Sequence, residues 1–208
     1  ELGIPFVENK TDSGLIATIK GEKEGKTIVL RADMDALPIQ EANEVDYISR
    51  HEGCMHACGH DTHMTMLLGA AKILSEHKDQ IPGTVRLLFQ TDEEGSRGAQ
   101  RLCAEGAMDG VDAVFGTHIG TIISKDIKAG TVISVPGCCM ASFDKFVIKV
   151  KGIGCHGAMP ENGVDPINIA AHIHLALQEI TAREIAAKTP AVITIGKFSG
   201  GQAPNIIP

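Results

Sequence analysis

The residues best suited to chemistry fall in four short clusters: Asp33 with Asp35, the run His56-Ala-Cys58-Gly-His60-Asp61, the pair Glu93-Glu94, and His118. Imidazole and thiolate favour borderline-soft transition ions such as zinc, and carboxylate completes such a shell. Each cluster alone has an ordinary explanation: a core thiol beside a satisfied histidine, or a solvated acidic loop. Their conjunction points to a metal site. Adjacent Glu93 and Glu94 also allow a division of labour, in which one carboxylate holds an ion and its neighbour takes a proton from an attacking water. That is the logic of metal-assisted hydrolysis. A fifth candidate, His156, follows the glycine-rich run Gly152-Ile-Gly154-Cys155 and reads either as a histidine presented by a tight loop or as an ordinary surface residue. Cys54, Cys103, Cys138 and Cys139 read as core or surface thiols, and His51, His63, His77, His172 and His174 join no comparable convergence.

The elements that must position these residues can be read from hydrophobic periodicity. Residues 27–32 (TIVLRA) and 84–90 (TVRLLFQ) are apolar runs that read as buried strands, and they run out at Asp33/Asp35 and at Glu93/Glu94. Residues 111–116 predict a third strand, ending at His118. Residues 62–76 are apolar at helical spacing, with Asp61 placed to cap the helix. Strands alternating with helices imply an α/β fold with a mostly parallel sheet covered on both faces. Open sheets of this kind bind ligands beyond the carboxyl ends of their strands, so the four clusters are expected on one rim. From Phe143 the pattern changes. Residues 143–151 (FDKFVIKVK) alternate like a strand with one wet face, residues 165–187 form a long amphipathic helix with Pro166 in its first turn, and residues 191–198 read as another strand. Two domains follow, 1–142 and 143–208. One strand-helix-strand unit is marginal alone, so the second is expected to dock on the first or to have its sheet completed by residues outside this chain.

Composition removes several function classes. With 26 acidic against 19 basic residues in 208, the net charge is −7, and no basic run exceeds two residues. A protein that tracks nucleic-acid phosphates gathers Lys and Arg on one face, so that class is excluded. No apolar stretch approaches the roughly 20 residues that cross a bilayer, which excludes a membrane span. Six cysteines, two of them adjacent, are too sparse for a disulfide scaffold and point to reduced thiols and the cytoplasm. The chain opens Glu-Leu-Gly-Ile-Pro with no charged-then-apolar leader. No strand is followed by a glycine loop of the Walker or dinucleotide type.

Six stretches together resemble one family. LRADMDALPIQE, MHACGHDTHMTMLLGAAKIL, GTVRLLFQTDEEGSRGAQ, GTHIG, VKGIGCHGAMPENGVDPINIA and TIGKFSGGQAPNIIP are similar, in order, to the M20 metallopeptidases. The closest branch is that of the N-acyl-amino-acid amidohydrolases, IAA-amino acid (auxin-conjugate) hydrolases, hippurate hydrolases and related carboxypeptidases. The resemblance implies a zinc-exopeptidase-like catalytic domain whose mixed, mostly parallel sheet is flanked by helices. It also implies a smaller α+β, ferredoxin-like lid or dimerisation domain, of which residues 143–208 would be the first half. The implied cofactor is a pair of divalent ions, Zn, Mn, Ni or Co. By motif, Cys58, His60, Glu94 and His118 would hold metal, Glu93 would be the general base, and Asp35 would support the ligands from behind. His156 would polarise the scissile carbonyl, reaching into a partner subunit's site, and Asn205 would contact the substrate.

The implied reaction is hydrolysis of an N-acyl amino acid or dipeptide by a homodimer, with neither nucleic acid nor membrane as partner. Four departures from the family pattern stand out. Thr91-Asp92 replaces the usual Pro-Ala before the Glu pair, adding a negative charge beside the base. Cys155 replaces a glycine, and Glu161 stands where a His often follows Met-Pro. The family's remaining ligand, a His in a segment after the lid, has no counterpart before Pro208, so the 208 residues by themselves are expected to be weakly active or inactive. The alternative function is a non-catalytic metal-binding or dimerisation module.

Overall fold

The computed structural model describes residues 1–10, 14–95, 97–120, 125–138 and 140–208, and Cys139 lies outside them. The chain divides into two units, Glu1–Ile133 and Ser134–Pro208.

The first unit is built on one five-stranded sheet. Its strands are β1 (Phe6–Glu8), β2 (Leu15–Lys20), β3 (Lys23–Asp33), β4 (Pro82–Gln90) and β5 (Ala113–Gly116), arranged β1-β2-β4-β3-β5. Strands β3, β4 and β5 are parallel, whereas β2 pairs antiparallel with β4, and β1 antiparallel with β2. The sheet is mixed, as the resemblance implies, and its parallel part is confined to the three adjacent strands β4, β3 and β5, with β5 at one edge. The sequence reading missed β1 and β2.

Helix α1 (His60–Glu76) lies between β3 and β4 in sequence, and the short helix α2 (Gly98–Ala104) lies between β4 and β5. Alternation along β4 explains how both faces of the sheet are covered. Val85, Leu87 and Phe89 point to one side, where they form a core with Ile19, Ala32, Leu67 and Ala71. Leu88 points to the other, with Val29, Leu102 and Ala107. Leu67 and Ala71 stand one turn apart and bring α1 onto the first face. Burying a side chain such as Leu87 contributes about 1.5–3 kcal/mol, so the two cores anchor the strand ends firmly.

Parallel register sets the position of the rim. Asp33 pairs with Gln90 and Arg31 with Gly116, so the carboxyl ends of β3, β4 and β5 lie at one edge. The segments that leave this edge carry Asp35, Glu93/Glu94 and His118.

In the second unit, β6 (Cys155–His156) pairs antiparallel with β7 (Ile206–Ile207), and helix α3 (Pro166–Glu179) continues into a π-helical turn, Ile180–Glu184. Asp165 caps α3, its Oδ1 accepting from the backbone N–H groups of Ile167 and Asn168 at 2.9 and 3.1 Å, and Pro166 occupies the first turn as expected. The helix ends earlier than position 187. The strands expected at 143–151 and 191–198 do not form. Both stretches stand outside any hydrogen-bonded ladder and leave Phe143, Phe146, Val147, Val192 and Phe198 exposed. Alternation encodes a face to bury, but a strand exists only when a neighbour pairs with its backbone, and none among the described residues does so. No helix among the described residues is long and apolar enough to cross a membrane.

Candidate metal centre

Two backbone features at the rim set the site. Gly59 takes φ 86°, a left-handed conformation that places it at the cap position, and α1 starts at the next residue. Asp61, expected as the cap, instead lies in the first turn, where its charge complements the helix dipole. A Cβ at Gly59 would come within 2.6 Å of Ile119 Cδ1, so the glycine also lets the segment after β5 approach the helix. His60 and His63 then stand three residues apart on the buried face of α1.

The hydrogen bonds assign the protons of these histidines. Asp35 Oδ1 lies 3.2 Å from His60 Nδ1, and because a carboxylate accepts, Nδ1 carries the hydrogen. The other Asp35 oxygen accepts the Glu94 backbone N–H at 2.9 Å, so one carboxylate aligns both a histidine and the turn that bears the Glu pair. His60 Nε2 is left with its lone pair. It is buried and has no hydrogen-bond partner among the described residues, with Asp33 Oδ2 at 3.6 Å and Glu94 Oε1 at 3.9 Å. An unsatisfied buried polar atom costs about 1–3 kcal/mol, and a lone pair facing carboxylates is the arrangement that a divalent cation satisfies.

Two groups of donor atoms include His60. Cys58, His60 and His118 form one group, and His60, Glu93 and Glu94 another, the donor atoms of each group lying within 4.8 Å of one another. Cys58 Sγ is 3.4 Å from His118 Nε2. His118 Nδ1 donates to the Ile119 carbonyl at 2.6 Å, which leaves its Nε2 as the free electron pair on the Cys58 side. The Cys58 thiol is pushed up to about 11 by burial, by its hydrogen bond to Glu94 and by the negative charges of Glu94, Glu93 and Asp33. These are soft, negative surroundings that a cation would neutralise.

Asp33, His60 and His63 make a third cluster with ligand-like spacing, and its chemistry is different. His63 is fully committed. Its Nδ1 donates to Asp33 Oδ1 at 2.5 Å, and its Nε2 accepts the Ile119 backbone N–H at 2.9 Å. No electron pair remains for a metal. Asp33, buried at 1% exposure, is also paired with Arg31 Nη1 at 2.7 Å. Burial alone would raise its carboxyl, but the His63 hydrogen bond and the Arg31 guanidinium outweigh burial and hold it below the usual carboxylate range. The sequence reading left His63 outside the site. The signal was present in its position three residues after His60 on the same helix face.

The departures also have places in the structure. Asp92 takes φ 54°, and its Oδ2 lies 3.2 Å from Arg101 Nη1 on α2, so the extra charge before the Glu pair is met by a cation. Glu161 is exposed on a short 3₁₀ turn, Pro160–Asn162. Cys155 is half-buried, and a Cβ at Gly163 would lie 2.5 Å from its Sγ, so that glycine makes the room the thiol needs.

In the second unit the β6–β7 pairing brings His156 and Asn205 together. Gly157 N donates to Asn205 O at 2.8 Å, and Ala158 N donates to His156 Nδ1 at 3.1 Å. A backbone N–H can only donate, so Nδ1 holds the lone pair and Nε2–H is the donor His156 presents. Both residues are exposed.

A model of peptidase family M20/M25/M40 matches residues 29–206. The chain is 45% identical over 208 residues to N-acetyl-L-cysteine deacetylase of Bacillus subtilis (strain 168), covering all of this chain and 49% of that protein. Among solved structures, a protein of methicillin-resistant Staphylococcus aureus classed as an aminohydrolase superposes with a TM-score of 0.80 at 35% identity, covering 99% of this chain and 54% of that one. The YXEP protein of Bacillus subtilis, described as a dinuclear metal binding peptidase, superposes with a TM-score of 0.56 at 40% identity over 58% of this chain and 34% of that one. The chain spans about half the length of the curated relatives it matches.

Proposed function

The chain belongs to peptidase family M20/M25/M40, and from that premise we propose that it carries the metal centre of a hydrolase cleaving the amide bond of N-acyl or N-aminoacyl amino acids. The observation that carries this reading is the buried His60 Nε2, without a partner among the described residues, on a histidine whose ring clusters with donor atoms of Cys58, Glu93, Glu94 and His118. Two divalent ions, Zn, Mn, Ni or Co, fit the mixed thiolate, imidazole and carboxylate donors, and when bound they supply Lewis acidity and a more acidic water.

The chain's own residues divide the remaining work. Cys58, His60, Glu94 and His118 hold the ions, and Asp35 keeps His60 and the Glu94 backbone in place. Glu93 takes the proton of the attacking water and returns it to the leaving amine. His156 offers its Nε2–H to the developing oxyanion in a partner subunit's site, and Asn205, whose backbone carbonyl accepts the Gly157 N–H, binds the substrate's carboxylate or amide. Residues 143–208 act as part of a lid and dimerisation surface in a homodimer, and the site takes small-molecule substrates. The free thiols at Cys54, Cys58, Cys103, Cys138 and Cys155 support a cytoplasmic location.

The test combines a metal count by elemental analysis with hydrolysis of N-acetyl and N-benzoyl amino acids. In the full-length protein the expected result is two ions per chain. In Glu93→Gln the metal content holds while turnover falls by about 10²- to 10⁴-fold. A doubly loaded full-length protein without turnover, or a Glu93→Gln variant as fast as the parent, would overturn the catalytic reading in favour of a metal-binding module.

A further inference from the structure

We infer that His63 is a positioning residue, which holds the Ile119 peptide and, through it, the ring of His118. The inference rests on the reading of His118 as a metal ligand. His118 is exposed on the segment that leaves β5, where nothing in the strand ladder fixes its ring. Two hydrogen bonds at one peptide supply that constraint. The Ile119 N–H donates to His63 Nε2 at 2.9 Å, and the Ile119 carbonyl accepts from His118 Nδ1 at 2.6 Å.

His63 is itself immobilised. It is 3% exposed, donates from Nδ1 to Asp33 Oδ1, and stands edge-on to the His118 ring at a centroid distance of 4.6 Å. Asp33 in turn is tied to Arg31, whose Nε donates to Gln90 Oε1 at 2.9 Å. A continuous path therefore runs from the ends of β3 and β4, through α1, to the ligand loop. The partners also dictate the tautomer. A backbone N–H forces the lone pair onto Nε2 and a carboxylate forces the hydrogen onto Nδ1, so only the neutral Nδ1–H form satisfies both. Partners of this kind commonly change metal affinity by 10- to 100-fold when removed.

Two substitutions separate the two halves of the contact. His63→Asn puts an amide donor near the old Nδ1 and keeps Asp33 satisfied, but it reaches too short for Ile119. His63→Gln places an amide oxygen near the old Nε2 and keeps an acceptor for Ile119. In chelator competition with zinc on the full chain, His63→Asn is expected to bind about 10- to 100-fold more weakly, with His63→Gln close to the parent. In the metal-free protein, the Ile119 amide should exchange with solvent at least about tenfold faster in His63→Asn and not in His63→Gln. Equal losses in both variants would indicate packing alone and overturn the inference, as would unchanged affinity and exchange in His63→Asn. Should either variant fail to fold, a through-hydrogen-bond coupling between Ile119 N and His63 Nε2 in the parent decides the matter, and its absence would refute the contact. His118→Ala separates the two levels. If it binds zinc as the parent does, the ligand reading fails and takes this inference with it. If it loses zinc while His63→Asn does not, the inference alone fails.

Discussion

Replacing Asp33 by Asn should destabilise the first unit strongly at neutral pH and weakly in acid. The Asp33 carboxylate serves two donors at once, Arg31 Nη1 at 2.7 Å and His63 Nδ1 at 2.5 Å, from a position 1% exposed. An amide has one acceptor and one donor group, so Asn can satisfy one of these partners and must present N–H to the other. A hydrogen bond to a charged group is worth about 1.5–3 kcal/mol, and stranding a buried partner costs about 3–5 kcal/mol. Arg31 keeps Gln90 and its side chain is 26% exposed, so water offsets part of the loss. The expected cost is about 2–4 kcal/mol, or on the order of 10 °C in Tm. Its pH dependence follows from linkage. The native carboxyl of Asp33 titrates below its unfolded counterpart, so the native state binds fewer protons. Its contribution is complete above the unfolded value, about 3.9, and disappears as pH falls through the depressed native one. Urea unfolding of parent and variant at pH 7 and at successively lower pH reads both quantities. A difference under about 0.5 kcal/mol at pH 7, or one that fails to shrink in acid, would refute this account of the Arg31–Asp33–His63 contacts.

Three further outcomes are expected. Gly59→Ala, forced to hold φ 86° with its Cβ 2.6 Å from Ile119 Cδ1, should cost about 1–2 kcal/mol in denaturant unfolding, and a neutral result would contradict the left-handed cap. Asp92→Gly should be more stable than Asp92→Ala by about 1 kcal/mol, because both lose the Arg101 pair but only alanine keeps the strain of φ 54°; paired melts in the reverse order would dismiss that strain. Metal uptake should strengthen with pH, by up to about tenfold per unit between pH 6 and 8, because a thiol pushed up to about 11 must release its proton to become a ligand. Chelator competition measures this, and a flat profile would exclude Cys58 as a thiolate ligand.

The rim was legible in the sequence because two independent signals coincide there. A β-branched run marks a strand, and the polar residues just past its end mark the edge where ligands bind; residues 27–32 and 84–90 carry both signals and fall within the observed Lys23–Asp33 and Pro82–Gln90. Strand β2 was missed although residues 15–20 alternate, and exposed three-residue β1 carries almost no pattern at all. The cap at Gly59 was misplaced to Asp61 because side-chain chemistry shows in a sequence and a left-handed φ does not. The stretches 143–151 and 191–198 fail for a different reason. Their alternation is real, but pairing is a property of two segments, and no local pattern supplies the second.

On the proposed reading, what separates a ligand from a support in this site is the fate of a histidine's second nitrogen. His60 and His118 each spend Nδ1 on an oxygen, that of Asp35 and that of the Ile119 carbonyl, and each keeps Nε2 toward the cluster. His63 spends both nitrogens and is thereby removed from the shell, although its distances alone would admit it. The carboxylates divide in the same way. Asp33 and Asp35 are occupied with holding histidines, Arg31 and the Glu94 backbone, whereas Glu93 and Glu94 converge with His60 Nε2. Part of the chain's net charge of −7 is thus local and purposeful. Two carboxylates fix the imidazoles, and two more gather around a lone pair that no group among the described residues satisfies. Like charges held that close repel one another until a cation arrives, so the same arrangement that costs the empty site stability gives the loaded site its affinity.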